Sequence, residues 1–184
     1  AIPAAPFEVD NTGPGVVISP PNPAYTRVGP VVYDLEFTDG ATFALTYPGT
    51  LTFDKGSGSN GTLVLTDGTT STPVVTISSC VGNSWLGITV EANAAFDEIG
   101  NASVQTVGTH FTVDQTGPAV VSITPETFGP TAAEELDYYV VFDEAVLNFD
   151  GPTDVIVRHQ NPPGNTYHST VIIVDSGNHK NFTA

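Results

Sequence analysis

Apolar and polar residues alternate with a period of two along much of this chain. In Val31-Val32-Tyr33-Asp34-Leu35-Glu36-Phe37 the odd positions are apolar, while Asp34 and Glu36 are placed to face water. That is the signature of a half-buried strand. Similar stretches predict strands at Val16–Ser19, Leu51–Asp54, Thr62–Thr66, Pro73–Ser78, Leu86–Glu91 and Thr109–Val113. Turn-forming residues separate them, as in Asp67-Gly68 and Pro20-Pro21-Asn22-Pro23. Strands this short cannot bury a face alone, so two sheets must share one core. One segment pulls the other way: Thr131-Ala132-Ala133-Glu134-Glu135 has the form of a capping box, with Thr131 as N-cap and Glu134 at N3. The Tyr138-Tyr139-Val140-Val141-Phe142 that follows is aromatic and β-branched, which predicts strand.

The chain also repeats itself. Phe7-Glu8-Val9-Asp10-Asn11-Thr12-Gly13-Pro14 recurs 104 residues later as Phe111-Thr112-Val113-Asp114-Gln115-Thr116-Gly117-Pro118, six of the eight positions being identical. Beyond the motif, Val31, Tyr33, Leu35 and Phe37 correspond to Leu136, Tyr138, Val140 and Phe142, and Leu51-Thr52-Phe53 to Val155-Ile156-Val157. A period near that length fits one immunoglobulin-sized unit of about 100 residues. The expected fold is therefore all-β: tandem immunoglobulin-like β-sandwiches of about seven strands each, the second incomplete. Residues 1–11 read as the tail of a preceding repeat or a free N-terminal strand. Residues 12–114 form a complete sandwich, and 115–184 a second, truncated one. The layout resembles a slice of a longer array.

Composition narrows the function. Twenty Asp and Glu against four Lys and Arg give a formal net charge of −16, so only Arg27, Lys55, Arg158 and Lys180 could neutralise phosphates. Nucleic acid is excluded as a partner on that ground. The apolar share of 40% is enough for packed cores, and no apolar run approaches the ~20 residues that span a bilayer. The lone Cys80 can make no intrachain disulfide and reads as a small buried side chain. Ala1-Ile2-Pro3-Ala4-Ala5-Pro6 has no basic start or apolar run, which suits a mature secreted end or the boundary of an excised fragment. Enzyme signatures are missing from the sequence: there is no nucleophile elbow, phosphate loop, zinc-protease motif or dinucleotide fingerprint. His110, His159, His168 and His179 have no metal-ligand spacing and read as surface residues. The chain is expected to be non-catalytic.

Acidic residues at the unit boundaries carry the candidate chemistry. In a sandwich of this strand order, the turns after the second and sixth strands lie at the end where the chain comes in. In the first unit those turns hold Asp39 and Asp97-Glu98-Ile99-Gly100-Asn101, and the incoming linker adds Asp10. The second unit offers Asp114 in its linker and Asp143-Glu144 after its second strand. Calcium takes six to eight hard oxygens and favours several carboxylates. One reading is thus calcium bridging consecutive units through Asp10, Asp39, Asp97 and Asn101, and through Asp114, Asp143 and Glu144. The other is that Asp and Asn sit there as turn formers. Asp54-Lys55-Gly56-Ser57-Gly58-Ser59-Asn60-Gly61 reads as a flexible loop. Asn-x-Ser/Thr triplets stand at Asn60, Asn101 and Asn181, and a glycan on Asn101 would conflict with a metal there.

Several of these segments together are similar to a known family. Tyr33-Asp34-Leu35-Glu36-Phe37-Thr38, Gly61-Thr62-Leu63-Val64-Leu65, Val74-Val75-Thr76-Ile77, Gly87-Ile88-Thr89-Val90, Asp97-Glu98-Ile99-Gly100-Asn101 and Phe111-Thr112-Val113-Asp114 resemble bacterial immunoglobulin-like (Big-type) repeats. Such repeats occur in tandem in large secreted and cell-surface proteins, including adhesins and biofilm proteins. Asp143-Glu144-Ala145-Val146 matches the family's turn after its second strand, whereas Asp39-Gly40-Ala41-Thr42 departs from it. The resemblance implies an extracellular spacer or adhesive role, with neighbouring repeats as partners, a surface glycan or protein as target, and in some relatives calcium-stiffened linkers. Two other functions are compatible with the residues. In one, Phe7–Asp10 adds as a strand to the incomplete unit of another copy, building a filament. In the other, Trp85 or Tyr139 forms a platform for carbohydrate, although each also reads as sheet packing.

Overall fold

The computed structural model describes residues 9–129, 135–151, 153–157 and 170–184. Among them every regular element is a β-strand, and the chain divides into two compact units, Ala1–Thr116 and Gly117–Ala184.

Unit 1 contains β1 (Gly15–Ile18), β2 (Tyr25–Thr26), β3 (Val31–Thr38), β4 (Thr42–Phe43), β5 (Leu51–Lys55), β6 (Asn60–Thr66), β7 (Val74–Val81), β8 (Trp85–Val90), β9 (Ala95–Phe96), β10 (Thr106–Val107) and β11 (Phe111–Val113). One sheet has the order β1-β3-β7-β6. In the other, β5 flanks β8 along its length, so β10 and β11 follow each other along the opposite edge of β8. The short β2 then adds to β11 in parallel. With the major strands lettered A to G in chain order, this is A-B-E-D facing C-F-G, the division of an immunoglobulin sandwich.

Strand alternation builds the core. Val31, Tyr33, Leu35 and Phe37 of β3 are buried, as are Val75 and Ile77 of β7, Leu86, Ile88 and Val90 of β8, and Phe111 and Val113 of β11. Asp34 and Glu36 face water between them. Each such aliphatic side chain contributes ~1.5–3 kcal/mol relative to exposure. Tyr33 ties the sheets: its ring lies 6.4 Å from that of Phe111, and its hydroxyl donates to the Thr109 carbonyl at 2.7 Å. Cys80 is buried in the same core, and burial pushes its thiol pKa up. The Asp54–Gly61 stretch, expected as a flexible loop, instead makes the end of β5, a tight turn and the start of β6. Ser59 N–H donates to the Gly56 carbonyl at 3.2 Å, and Lys55 Nζ donates to Asn60 Oδ1 at 2.9 Å.

Unit 2 contains β12 (Val120–Pro125), β13 (Tyr138–Phe142), β14 (Val174–Asp175) and β15 (Asn181–Thr183), arranged β12-β13-β15-β14. That order repeats β1-β3-β7-β6. Tyr138–Phe142 is strand, as its β-branched and aromatic residues predict; the capping box at Thr131–Glu134 lies outside the described residues. The counterpart of β5 at Val155–Val157 forms no strand, and Ile156 is exposed. β5 is held by five residue pairs with β8, and hydrophobic character without such a partner does not make a strand. Among the described residues, Val140, Phe142, Val146 and Phe182 form this unit's core.

Candidate functional site

The upstream corner of unit 1 is assembled by three segments. β1 begins opposite the end of β3, with Gly15 facing Thr38. The residues after β3 are tied to the loop after β9: Thr42 pairs with Phe96, Phe43 with Ala95, and Ala41 N–H donates to the Phe96 carbonyl at 2.8 Å. Behind them the buried Ser103 closes the loop, its hydroxyl accepting from Ala95 N–H at 3.0 Å. The turns that carry Asp39 and Asp97 therefore share one end of the sandwich.

Hydrogen bonds join three of the four candidate residues at this corner. Asn101 Nδ2 donates to Asp97 Oδ2 at 2.8 Å and to the Asp10 carbonyl at 3.1 Å. Asp97 Oδ1 accepts from Ile99 N–H at 3.0 Å and from Asn101 N–H at 2.8 Å. Gly100, at φ +95°, supplies the left-handed residue the turn requires. Asp10 Oδ1 accepts from Thr12 N–H at 2.8 Å, so the linker makes an Asx turn. Asp39 is exposed at φ 61° and shares no hydrogen bond with the other three among the described residues.

Electrostatics follows from these contacts. Desolvation works against the charge on Asp97, but donation from the Asn101 side chain and then from backbone amides of the turn, Asn101 and Ile99 among them, outweighs it, holding the carboxyl below its usual range. A depressed pKa gives stability that is present above the ordinary carboxylate value, ~3.9, and is lost as pH falls through the lower folded value. Asp97→Asn should accordingly lose less melting temperature than wild type as pH falls below about 4; parallel acid limbs in the two proteins would refute that role.

The remaining candidates lie elsewhere. Asp114 Oδ1 accepts from Thr116 N–H at 2.9 Å, the same turn that Asp10 makes. In unit 2, Asp143 Oδ1 accepts from Ala119 N–H at 2.8 Å while Asp143 N–H donates to the Ala119 carbonyl at 3.0 Å. Asp143 thus pins the start of β12 beside the end of β13, and Lys180 Nζ donates to its carbonyl. Glu144 is half-buried next to it. Among the described residues, no group of three or more His, Cys, Asp or Glu side chains is close enough to hold a metal ion. Three N–H donors already engage the Asp97 carboxylate, so calcium there would have to displace some of them. Both Asn101 Nδ2 protons are used, and a glycan on that nitrogen would remove one bond.

Both aromatic candidates are exposed and each has a local partner. One face of the Trp85 ring is covered by His110, with centroids 4.0 Å apart and planes 10° from parallel. Tyr139 donates to Glu126 Oε1 at 3.0 Å. His179 pairs with Asp175 at 2.7 Å, and His159 and His168 lie outside the described residues. One residue that the sequence reasoning passed over stands out: Gln115 makes side-chain bonds to three separate backbone groups. Its signal was the repeat itself, because an amide occupies this linker position in both copies, Asn11 and Gln115.

Fold and corners together define an all-β sandwich protein whose linkers are held by side-chain-to-backbone hydrogen bonds. No protein-family model, curated protein or solved structure matches the chain. Among the described residues, no helix is long and apolar enough to cross a membrane.

Proposed function

We propose that this chain is a non-catalytic segment of an extracellular stalk or adhesin, built from tandem immunoglobulin-like sandwiches. The observation that carries the reading is repetition of construction. Asp10 and Asp114 make the same Asx turn in the same Asp-x-Thr-Gly-Pro linker, and each linker leads into a sheet of the same strand order. Repeated units give reach, Pro restricts the hinge by fixing φ, and the acidic surface keeps a long array soluble.

Calcium at the upstream corner belongs to this reading as its finer part. Asp10, Asp97 and Asn101 converge there, and Asp39 stands at the same end of the sandwich. An ion bound at a concentration of 100 Kd would add ~2.7 kcal/mol, which for a unit of this size is a rise on the order of 10 °C. Melting in millimolar calcium and in chelator measures it, with Asn101→Ala expected to abolish the rise. An unchanged midpoint would remove calcium from the account and leave the stalk.

A second reading, self-assembly by strand addition, is favoured by unit 2. Its four-stranded sheet leaves Val121, Ile123 and Val174 exposed, the kind of apolar surface that attracts a partner. Sedimentation velocity across a concentration series separates the two. A monomer at every concentration supports the stalk, and concentration-dependent growth supports the filament.

A further inference from the structure

We propose that Gln115 is a latch that ends unit 1 rigidly, so that bending of the linker begins only after Thr116. The latch rests on the stalk reading for its purpose, but its geometry is independent of it. The chain leaves unit 1 through consecutive backbone bonds: Thr112 N–H to the Ala24 carbonyl at 2.9 Å, Val113 N–H to Ser84 at 2.8 Å and Asp114 N–H to Thr26 at 3.0 Å. Gln115 continues this series after the strand has ended. Its own N–H donates to Asn83 Oδ1 at 2.6 Å. Its side chain then binds three backbone groups on two segments: Nε2 donates to the Arg27 carbonyl and to the Cys80 carbonyl, each at 3.1 Å, while Oε1 accepts from Gly82 N–H at 3.2 Å.

Only an amide fits this setting. Two carbonyls and one N–H converge on the side chain, and a primary amide offers two donors and an acceptor in the matching arrangement. A carboxylate of the same length would turn an oxygen on two carbonyls. Thr116 N–H is still held by the Asp114 carboxylate, and past it the contacts thin. Among the described residues nothing lies within 4 Å of a Cβ built on Gly117.

The first linker shows the other half of the device. Asn101 Nδ2 holds the Asp10 carbonyl, a Cβ on Gly13 would run into the Ala102 backbone, and Pro14 is fully buried. The first linker is thus held by the unit that follows it, through its Gly-Pro, and the second by the unit that precedes it, through its amide residue.

The test is backbone ¹⁵N relaxation and amide exchange on the full chain, comparing wild type with Gln115→Ala. Loss of the latch should raise exchange at Gly82 about five-fold or more and lower the heteronuclear NOE at Asp114, Gln115 and Thr116. Asn83→Ala, which breaks only the tie to the Gln115 amide, is the second variant and should loosen the same three residues. If both variants keep wild-type NOEs there, the latch is refuted, whatever happens to the melting temperature. A flat calcium melt, by contrast, bears on the finer part of the stalk reading and leaves the latch standing.

Discussion

Tyr33→Ala should cost unit 1 ~3–5 kcal/mol, read as a lowered urea midpoint at unchanged m. The side chain is fully buried and touches both sheets, so its removal opens a cavity at the seam and frees the Thr109 carbonyl it had satisfied. Tyr33→Phe keeps the ring and isolates the second effect; Thr109 is exposed, so loss of this one hydrogen bond costs ~0.5–1.5 kcal/mol. The hydroxyl also predicts an alkaline limb. Burial first, and the charge of Asp54 second, push the Tyr33 pKa well up. Above the ordinary tyrosine value of about 10, the unfolded chain sheds this proton while the folded chain keeps it. The stabilisation is complete below that pH and disappears as pH rises toward the folded value. Tyr33→Phe should flatten this alkaline fall. If its pH profile above 10 overlays the wild type, Tyr33 is not the group responsible.

How far the sequence could be read depends on what sets each element. β3 was legible because Val31, Tyr33, Leu35 and Phe37 all point one way over a long strand, and that periodicity is a local property of the chain. β2, β4, β9 and β10 were not, because each has two residues, too few for a period to register. They exist through partners: Thr42 and Phe43 through Phe96 and Ala95, and Tyr25 and Thr26 through a parallel edge on β11. The repeat revealed β13 from β3, yet it misled at Val155–Val157, where strand identity depends on a neighbour rather than on the residues themselves. At the upstream corner, strand order alone placed Asp39 and Asp97 at one end. What it could not supply was the donor set. That Asp97 spends its carboxylate on amides follows from the Gly100 turn, whose geometry brings the Ile99 and Asn101 N–H groups onto one oxygen. For Gln115 the repeat marks the amide, but which backbone groups it holds is set only by the fold that brings Arg27, Cys80 and Gly82 together.

Phe182→Ala should unfold unit 2 and leave unit 1 intact. The rings of Phe142, Phe149 and Phe182 pack edge to face around one point, with centroids 5.0, 5.8 and 4.9 Å apart. Among the described residues Val140 and Val146 join them, in a core far smaller than that of unit 1. A core of that size supplies no more than about 3–5 kcal/mol. Truncating a buried Phe removes ~3–5 kcal/mol, and each aromatic pair lost adds ~0.5–1.5 kcal/mol, so the change matches or exceeds the whole stability of the unit. Phe182 also sits mid-strand in β15, opposite Val140 of β13 and Asp175 of β14, so the three strands lose their common packing partner together. An amide spectrum of the full chain reads the outcome directly: resonances of β12, β13, β14 and β15 should collapse toward random-coil shifts while those of Gly15–Val113 stay in place. Loss of both sets would mean that unit 1 depends on unit 2 for its fold, against the division at Thr116. A fully dispersed spectrum would mean that the aromatic cluster is not what holds the second sheet.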